Sequence, residues 1–328
     1  MIWRIFIRRQ MIFSTLFPVL FLVFSGLNAS AQDFPARPIK IITPFAPGGV
    51  SGVIWHSMSE SMSKVLGTPV VVENRPGGGT TLAYSLIASA KPDGYTVGHI
   101  SFGFINTYLA YDVGYHPQKS YTYIGGVWRY NESVAVRSDA PWNTWDEFID
   151  YSRKHPNEIR VGFSNPIGVN VAPVKWAAQK SEVKWKQVVF QSEAECITAL
   201  LGKNIEAFPG AGVVHTLLRD GRAKMLLALT IDPIPGYPHV PTFKEVYGMT
   251  ALNAGGLIGP AEIPEPIVKK LGTALQEGIK DPAFQKTLEK VGAIPRWRNS
   301  KDFYQDVENA LSNSRQFLKD LGLLKANK

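Results

Sequence analysis

The sequence predicts an α/β protein with helices packed on mostly parallel sheet, and three observations carry that reading. Short apolar runs alternate with stretches whose apolar residues recur every three or four positions. Glycine-rich loops stand where such a run hands over to a helical stretch, which is the grammar of βαβ units. The chain has 328 residues, 45% of them hydrophobic and 19% charged, enough for two domains or one large one with a packed core. No period of 20–50 residues repeats, so a solenoid is excluded.

The first 31 residues stand apart. Arg4, Arg8 and Arg9 form a basic start, residues 11–24 are almost wholly apolar, and Ala29-Ser30-Ala31 is a small-x-small site. Together they read as a secretory signal peptide cleaved after Ala31. The alternative is an uncleaved anchor, but the apolar run falls short of the ~20 residues a span needs. The expected protein is exported, periplasmic and begins at Gln32. Loss of the three arginines would lower the net charge from +8 to +5, with no Lys/Arg block, so no nucleic-acid partner is expected. Cys196 is alone and excludes an intrachain disulfide. It lies in an apolar helical pattern and reads as a buried, inert thiol.

The elements follow in order. Ile39-Lys40-Ile41-Ile42-Thr43 is a strand, followed by a turn-rich loop and a helix carrying Ile54, Met58, Met62 and Val65, ended by Gly67. Val70-Val71-Val72 is a short strand of the kind buried in parallel sheet. A second glycine loop, a helix over 82–90 and a strand over 95–100 repeat the unit. Residues 121–136 hold two apolar patches that leave the first domain. Thr144-Trp145-Asp146-Glu147 and Ser192-Glu193-Ala194-Glu195 are capping boxes that open helices. Strands are expected over 160–163, 188–190, 205–208 and 225–230. Residues 231–241 hold four prolines and read as a return connection. Ile267, Leu271, Leu275 and Ile279 share one helical face, as do Phe303, Val307, Leu311, Leu318 and Leu321.

Catalytic motifs are missing. No serine carries the glycine spacing of a nucleophile elbow, and no Walker A, HExxH or CxxC occurs. The six histidines are scattered without ligand spacing. No metal, cofactor or catalytic residue is expected. What stands out is three loops where a strand meets a helix start: Phe45-Ala46-Pro47-Gly48-Gly49-Val50-Ser51, then Ser164-Asn165-Pro166-Ile167-Gly168-Val169-Asn170, then Gln191-Ser192. Each reads either as a plain turn or as a place where backbone N–H groups and a helix dipole meet an anion.

Several segments in order resemble the Bug family, the substrate-binding proteins of tripartite tricarboxylate transporters. They are Pro35-Ala36-Arg37-Pro38-Ile39-Lys40-Ile41-Ile42, the loop from Pro44 to Ser51, Val70-Val71-Val72-Glu73-Asn74-Arg75-Pro76-Gly77, Ala90-Lys91-Pro92-Asp93-Gly94-Tyr95-Thr96, Ala199-Leu200-Leu201-Gly202-Lys203, His239-Val240-Pro241-Thr242-Phe243-Lys244-Glu245 and Gly259-Pro260. The resemblance implies a two-lobed periplasmic binding protein of the type II kind, with lobe I at 32–132 and 241–328 and lobe II at 133–240. It implies a monomer that closes on a small carboxylate and delivers it to integral membrane permease subunits. The ligand would be held by Phe45, Ala46, Pro47, Gly48, Gly49, Val50 and Ser51, with Ser101, Phe102, Ser164, Asn165, Gly168, Asn170, Gln191, Ser192 and Gly210. Rival readings are a sensor feeding a signalling receptor, and a hydrolase.

The chain also departs from the family pattern. Gly52 and Gly210 stand where an Asp is common, and Asn170-Val171-Ala172-Pro173 closes the second loop without its usual His. Without those acids, a ligand lacking an ammonium is expected, a dicarboxylate or an aromatic carboxylate; tighter binding of an amino acid would mean that another acid, Glu132 or Glu193, takes over the missing role. Phe102, Phe104, Trp128 and Tyr130 either wall the cleft or pack in the core.

Overall fold

Strand β1 (Ile39–Thr43) lies inside the first sheet because Ile39 and Ile41 are fully buried while Lys40 reaches out to Glu73. The computed structural model describes residues 34–326 and 328, without the side chain of Val213; the expected signal peptide and its cleavage site fall outside the described residues. Residues 34–37 belong to a separate unit, and Pro38–Lys328 form one body. Among the described residues no helix is long and apolar enough to cross a membrane.

The first sheet runs in the order β2 (Val70–Asn74), β1, β3 (Thr96–Ser101), β10 (Ala254–Pro260), β4 (Tyr121–Tyr130), β11 (Ala293–Asn299). The second runs β7 (Lys186–Val189), β6 (Arg160–Phe163), β8 (Ala207–Gly210), β5 (Ser133–Arg137), β9 (Ala223–Ala228). Both are mixed rather than mostly parallel. β1 pairs in parallel with β2 and β3, but β10 pairs antiparallel with β3 and β4, and β11 antiparallel with β4. In the second sheet β6 pairs in parallel with β7 and β8, and β5 antiparallel with β8 and β9. The cause is the excursion itself. β4 carries the chain out of the first sheet and β10 brings it back beside β4, running the other way. β2 is an edge strand, and its Val71 is 54% exposed rather than buried as the apolar run suggested.

Only Asn131 and Glu132 separate β4 from β5, so the first crossing is two residues long. The way back is longer: an irregular segment, the short helix α8 (Phe243–Tyr247), then β10. The crossings are tied together by Tyr130 N–H to Asn253 O (2.9 Å) and Leu229 N–H to Glu132 O (2.7 Å). Tyr247, on α8, takes a hydrogen bond from Trp145 Nε1 (2.9 Å) on α4 (Trp145–Lys154) of the second lobe. The long helix α11 (Ser300–Asp320) packs on α3 (Gly103–Ala110) and on α5 (Val171–Lys180), where Trp176 Nε1 donates to Asp320 (2.8 Å). One apolar core is continuous across this region, joining Phe303 and Phe317 to Trp176 and Phe243.

α1 (Val50–Leu66) buries Ile54, Met58 and Met62 on one face and stops at Gly67. At the start of α4 the Thr144 hydroxyl accepts from Glu147 N–H (3.1 Å), while Glu147 reaches back to Asn143 N–H (2.6 Å). Thr144→Ala should therefore cost about 1 kcal/mol, the worth of an N-cap. Urea denaturation measures it; an unchanged midpoint would mean the cap contributes nothing here.

Candidate functional site

The two lobes enclose a cleft of about 630 Å³. The first lobe lines it with Phe45, Val50, Ser51, Ser101 and Gly103, and the second with Ser164, Asn165, Gly168 and Asn170. Further along the wall come Glu193, which opens α6 (Glu193–Leu201), and Gly212, which opens α7 (Gly212–Arg219). Tyr130, Glu132 and Asn253 stand where the crossings meet. A neighbouring hollow of about 680 Å³ shares Phe45, Ser101, Gly103, Asn165 and Gly168 with it.

Four helices begin at this wall without a side-chain cap: α1 after Gly49, α3 after Phe102, α5 after Asn170 and α7 after Ala211. None carries an acid in its first turn. The leading N–H groups of α1, α3 and α7 lack intrahelical partners, and each start bears the positive end of its dipole. At α5 Val171 and Ala172 N–H both donate to Gly168 O (3.0 and 2.9 Å) and Pro173 has no N–H, so that start offers its dipole alone. α6 is different: Ser192 accepts from Glu195 N–H (3.3 Å), so that helix start is already served.

The side chains on the opposite account are acidic. Glu132 is 3% exposed, and burial pushes its carboxyl up to about 8; Asn253 Nδ2, donating to Oε1 at 2.8 Å, pulls the other way, and the Glu193 charge adds to the rise. Burial also raises Glu193, against a long bond from Ala211 N–H (3.4 Å). The Tyr130 hydroxyl beside them is pushed up to about 12, by burial and by both carboxylates. Lys290 is the cation on the wall among the described residues, and its side chain is exposed. Among the described residues no cluster of three or more His, Cys, Asp or Glu could hold a metal.

The expected residues distribute unevenly. Phe45, Val50, Ser51, Ser101, Ser164, Asn165, Gly168 and Asn170 come together at the wall. Ala46, Pro47, Gly48 and Gly49 form the loop behind Val50, Gln191 and Ser192 stand behind Glu193, and Gly210 ends β8 one residue short of Ala211. Phe102 corrects the expectation. It is 1% exposed and turned into the core against Phe303, with ring centroids 6.0 Å apart. Trp128 is likewise core, packed on Trp55 and His99 at 5.5 Å each. The aromatic walls of the main cleft reduce to Phe45 and Tyr130. The argument against an ammonium also loses its premise. Gly52 and Gly210 do lack carboxylates, but Glu132 and Glu193 bring two from other positions.

Gly103, Thr216, Lys290, Val291 and Asn253 line the cleft without having been singled out. Asn253 has no local signature; its partner Glu132 is 121 residues away.

The sequence matches the Tripartite tricarboxylate transporter family receptor across residues 54–323. A Cupriavidus necator relative, the UPF0065 protein in the gbd 5′ region, is 26% identical over 300 residues, 91% of this chain and 92% of its own. A TctC solute-binding protein from Polaromonas, solved without ligand, superposes with a TM-score of 0.81 at 22% identity, covering 88% of this chain and 99% of that one. MatC from Rhodopseudomonas palustris, solved with bound malate, superposes at 0.69 with 26% identity over 87% of this chain and 100% of that one. With a match over most of its length and the same two-lobed α/β fold, the chain belongs to the tripartite tricarboxylate transporter receptor family of periplasmic solute-binding proteins.

Proposed function

We propose that the protein captures a small organic carboxylate in the cleft and hands it to an integral membrane permease. The single observation that carries this is the set of three uncapped helix starts, α1, α3 and α7, facing one cavity. Such a wall binds an anion without an Arg. Malate in MatC supports the ligand class, and the family's description as a transporter receptor supports the permease.

The carboxylate contacts are assigned to backbone around Val50 and Ser51, and to Ser164, Asn165, Gly168 and Asn170. The moving bodies are residues 38–132 with the C-terminal part, against a middle body starting at 133. We place the return near 253 rather than 241, because Tyr247 bonds to second-lobe Trp145 and Ser181. Export through the N-terminal signal peptide, with cleavage after Ala31, belongs to the same reading.

Malate, succinate and glutarate tested by thermal shift and calorimetry decide the matter. A true ligand at 100 times its Kd adds ~2.7 kcal/mol of stability; no shift with any of them counts against the reading. The loop behind Val50 offers a second check. Its positive φ belongs to Gly48 (+83°), while Gly49 is extended at −69°. Gly48→Val should therefore displace the start of α1 and weaken binding about tenfold or more, since side chains are strained at that φ. Calorimetry reads it, and unchanged affinity in a folded variant would remove this loop from the site.

A further inference from the structure

We propose that Glu132 and Glu193 form a cation subsite at the crossing end of the cleft, so that the ligand carries an ammonium group as well as its carboxylate. The inference rests on the carboxylate reading above and narrows it. Glu132 is nearly fully buried, yet only its Oε1 is engaged, by Asn253; the other oxygen has no partner among the described residues, and the side chain lines the cavity. Glu193 reaches the same wall from the start of α6 and receives only the long bond from Ala211. Neither carboxyl has an ion-pair partner among the described residues. Arg129, the nearest cation along the crossing, is occupied with Asn131 Oδ1 (3.0 Å), and His215 Nε2 donates to Asn131 O (2.6 Å).

A buried acid, Glu132, whose one strong hydrogen bond comes from Asn253, beside a half-buried second acid, Glu193, is costly in a structure that gains nothing from the pair. An ammonium supplies the missing charge and three donors. A metal ion is a poorer occupant, because two carboxyls without a third His, Cys, Asp or Glu fall short of a coordination shell. The cleft is then polarised along its length, with helix starts for the anion and carboxylates for the cation. That pattern fits an amino carboxylic acid better than a plain diacid.

The test is calorimetry on the full exported protein with two matched series. Succinate, malate and aspartate differ by H, OH and NH3+ at one carbon; glutarate, 2-hydroxyglutarate and glutamate repeat this one carbon longer. In one series the amino acid should bind about 30-fold or more tightly than its diacid, as expected for a desolvated charge pair. Glu132→Gln and Glu193→Gln, each checked for folding by circular dichroism, should each cut that ratio at least tenfold. A diacid or hydroxy acid that binds as well as its amino acid overturns the subsite and leaves the carboxylate reading standing. Absence of binding by every member of both series overturns the carboxylate reading itself.

Discussion

Gly212→Ala is expected to weaken binding of malate, succinate or aspartate, whichever the parent binds, by about 100-fold while both lobes stay folded. The reason lies across the cleft, not within α7. Alanine is the best helix former, and at the first position of a helix it carries no local penalty. A β-carbon at Gly212, however, would land on the Val291 carbonyl and within 3.1 Å of Gly292 Cα. Those residues belong to the first lobe, between α10 (Pro282–Lys290) and β11. Backbone therefore meets backbone at this rim. On the other rim Asn106 Nδ2 donates to Ile167 O at 2.7 Å. A methyl group at 212 has no flexible side chain to push aside, so the lobes themselves must part. A ligand that needs both walls then binds a less populated state, and its affinity falls by that population factor. A 100-fold loss corresponds to ~2.7 kcal/mol, modest for so direct an overlap. Calorimetry gives the affinity and small-angle X-ray scattering the separation of the lobes. Parent-like values in both would show that this contact does not govern closure. The position is better suited to the test than Gly292, whose φ of +66° would add local strain to the clash.

The parts of the fold written in local signals were legible. β1, α1 and the two helices opened by Thr144 and Ser192 depend on periodicity and capping, which act within a few residues. β10 was not, because Ala-Gly-Gly-Leu-Ile-Gly-Pro has loop composition. It is a fully buried strand for a tertiary reason: Trp128 occupies the space over Gly255 and Phe303 that over Gly256. β11 was hidden by Pro295, which an edge strand with an irregular register tolerates. The same division holds for the site. Glycine loops before helices announce backbone N–H groups, and eight of the nineteen described residues on the cleft wall lie in them. The acidic end is legible only in part: Glu132 and Glu193 stand in the sequence as the alternative acids, but nothing local brings them together with Asn253, which meets Glu132 only through the crossings.

Glu132→Gln should make the ligand-free protein more stable than the parent at pH 8, by about 3–5 kcal/mol, and no more stable near pH 4.5. In the folded protein burial raises this carboxyl from its ordinary 4.5 to about 8. The folded state thus holds a proton that the unfolded chain releases above 4.5. The stabilisation from that proton is fully present below pH 4.5 and declines as pH rises through the interval. It is gone above about 8, where the folded carboxyl ionises as well. Glutamine keeps the shape and the bond to Asn253 but never ionises, so it escapes the decline. Groups that titrate alike in both proteins cancel in the difference, and loss of the Glu132 charge also relieves Glu193. Urea denaturation at pH 4.5, 6 and 8 measures the divergence. A variant equal to or weaker than the parent at pH 8 would mean that the ionised carboxylate is already well solvated or paired. The expected outcome has the form of a binding site kept at the expense of stability, as acids poised for a partner commonly are. An amino acid bound across the cleft should then narrow the gap, because its ammonium stabilises the ionised carboxylate in the parent and finds no charge at position 132 in the variant.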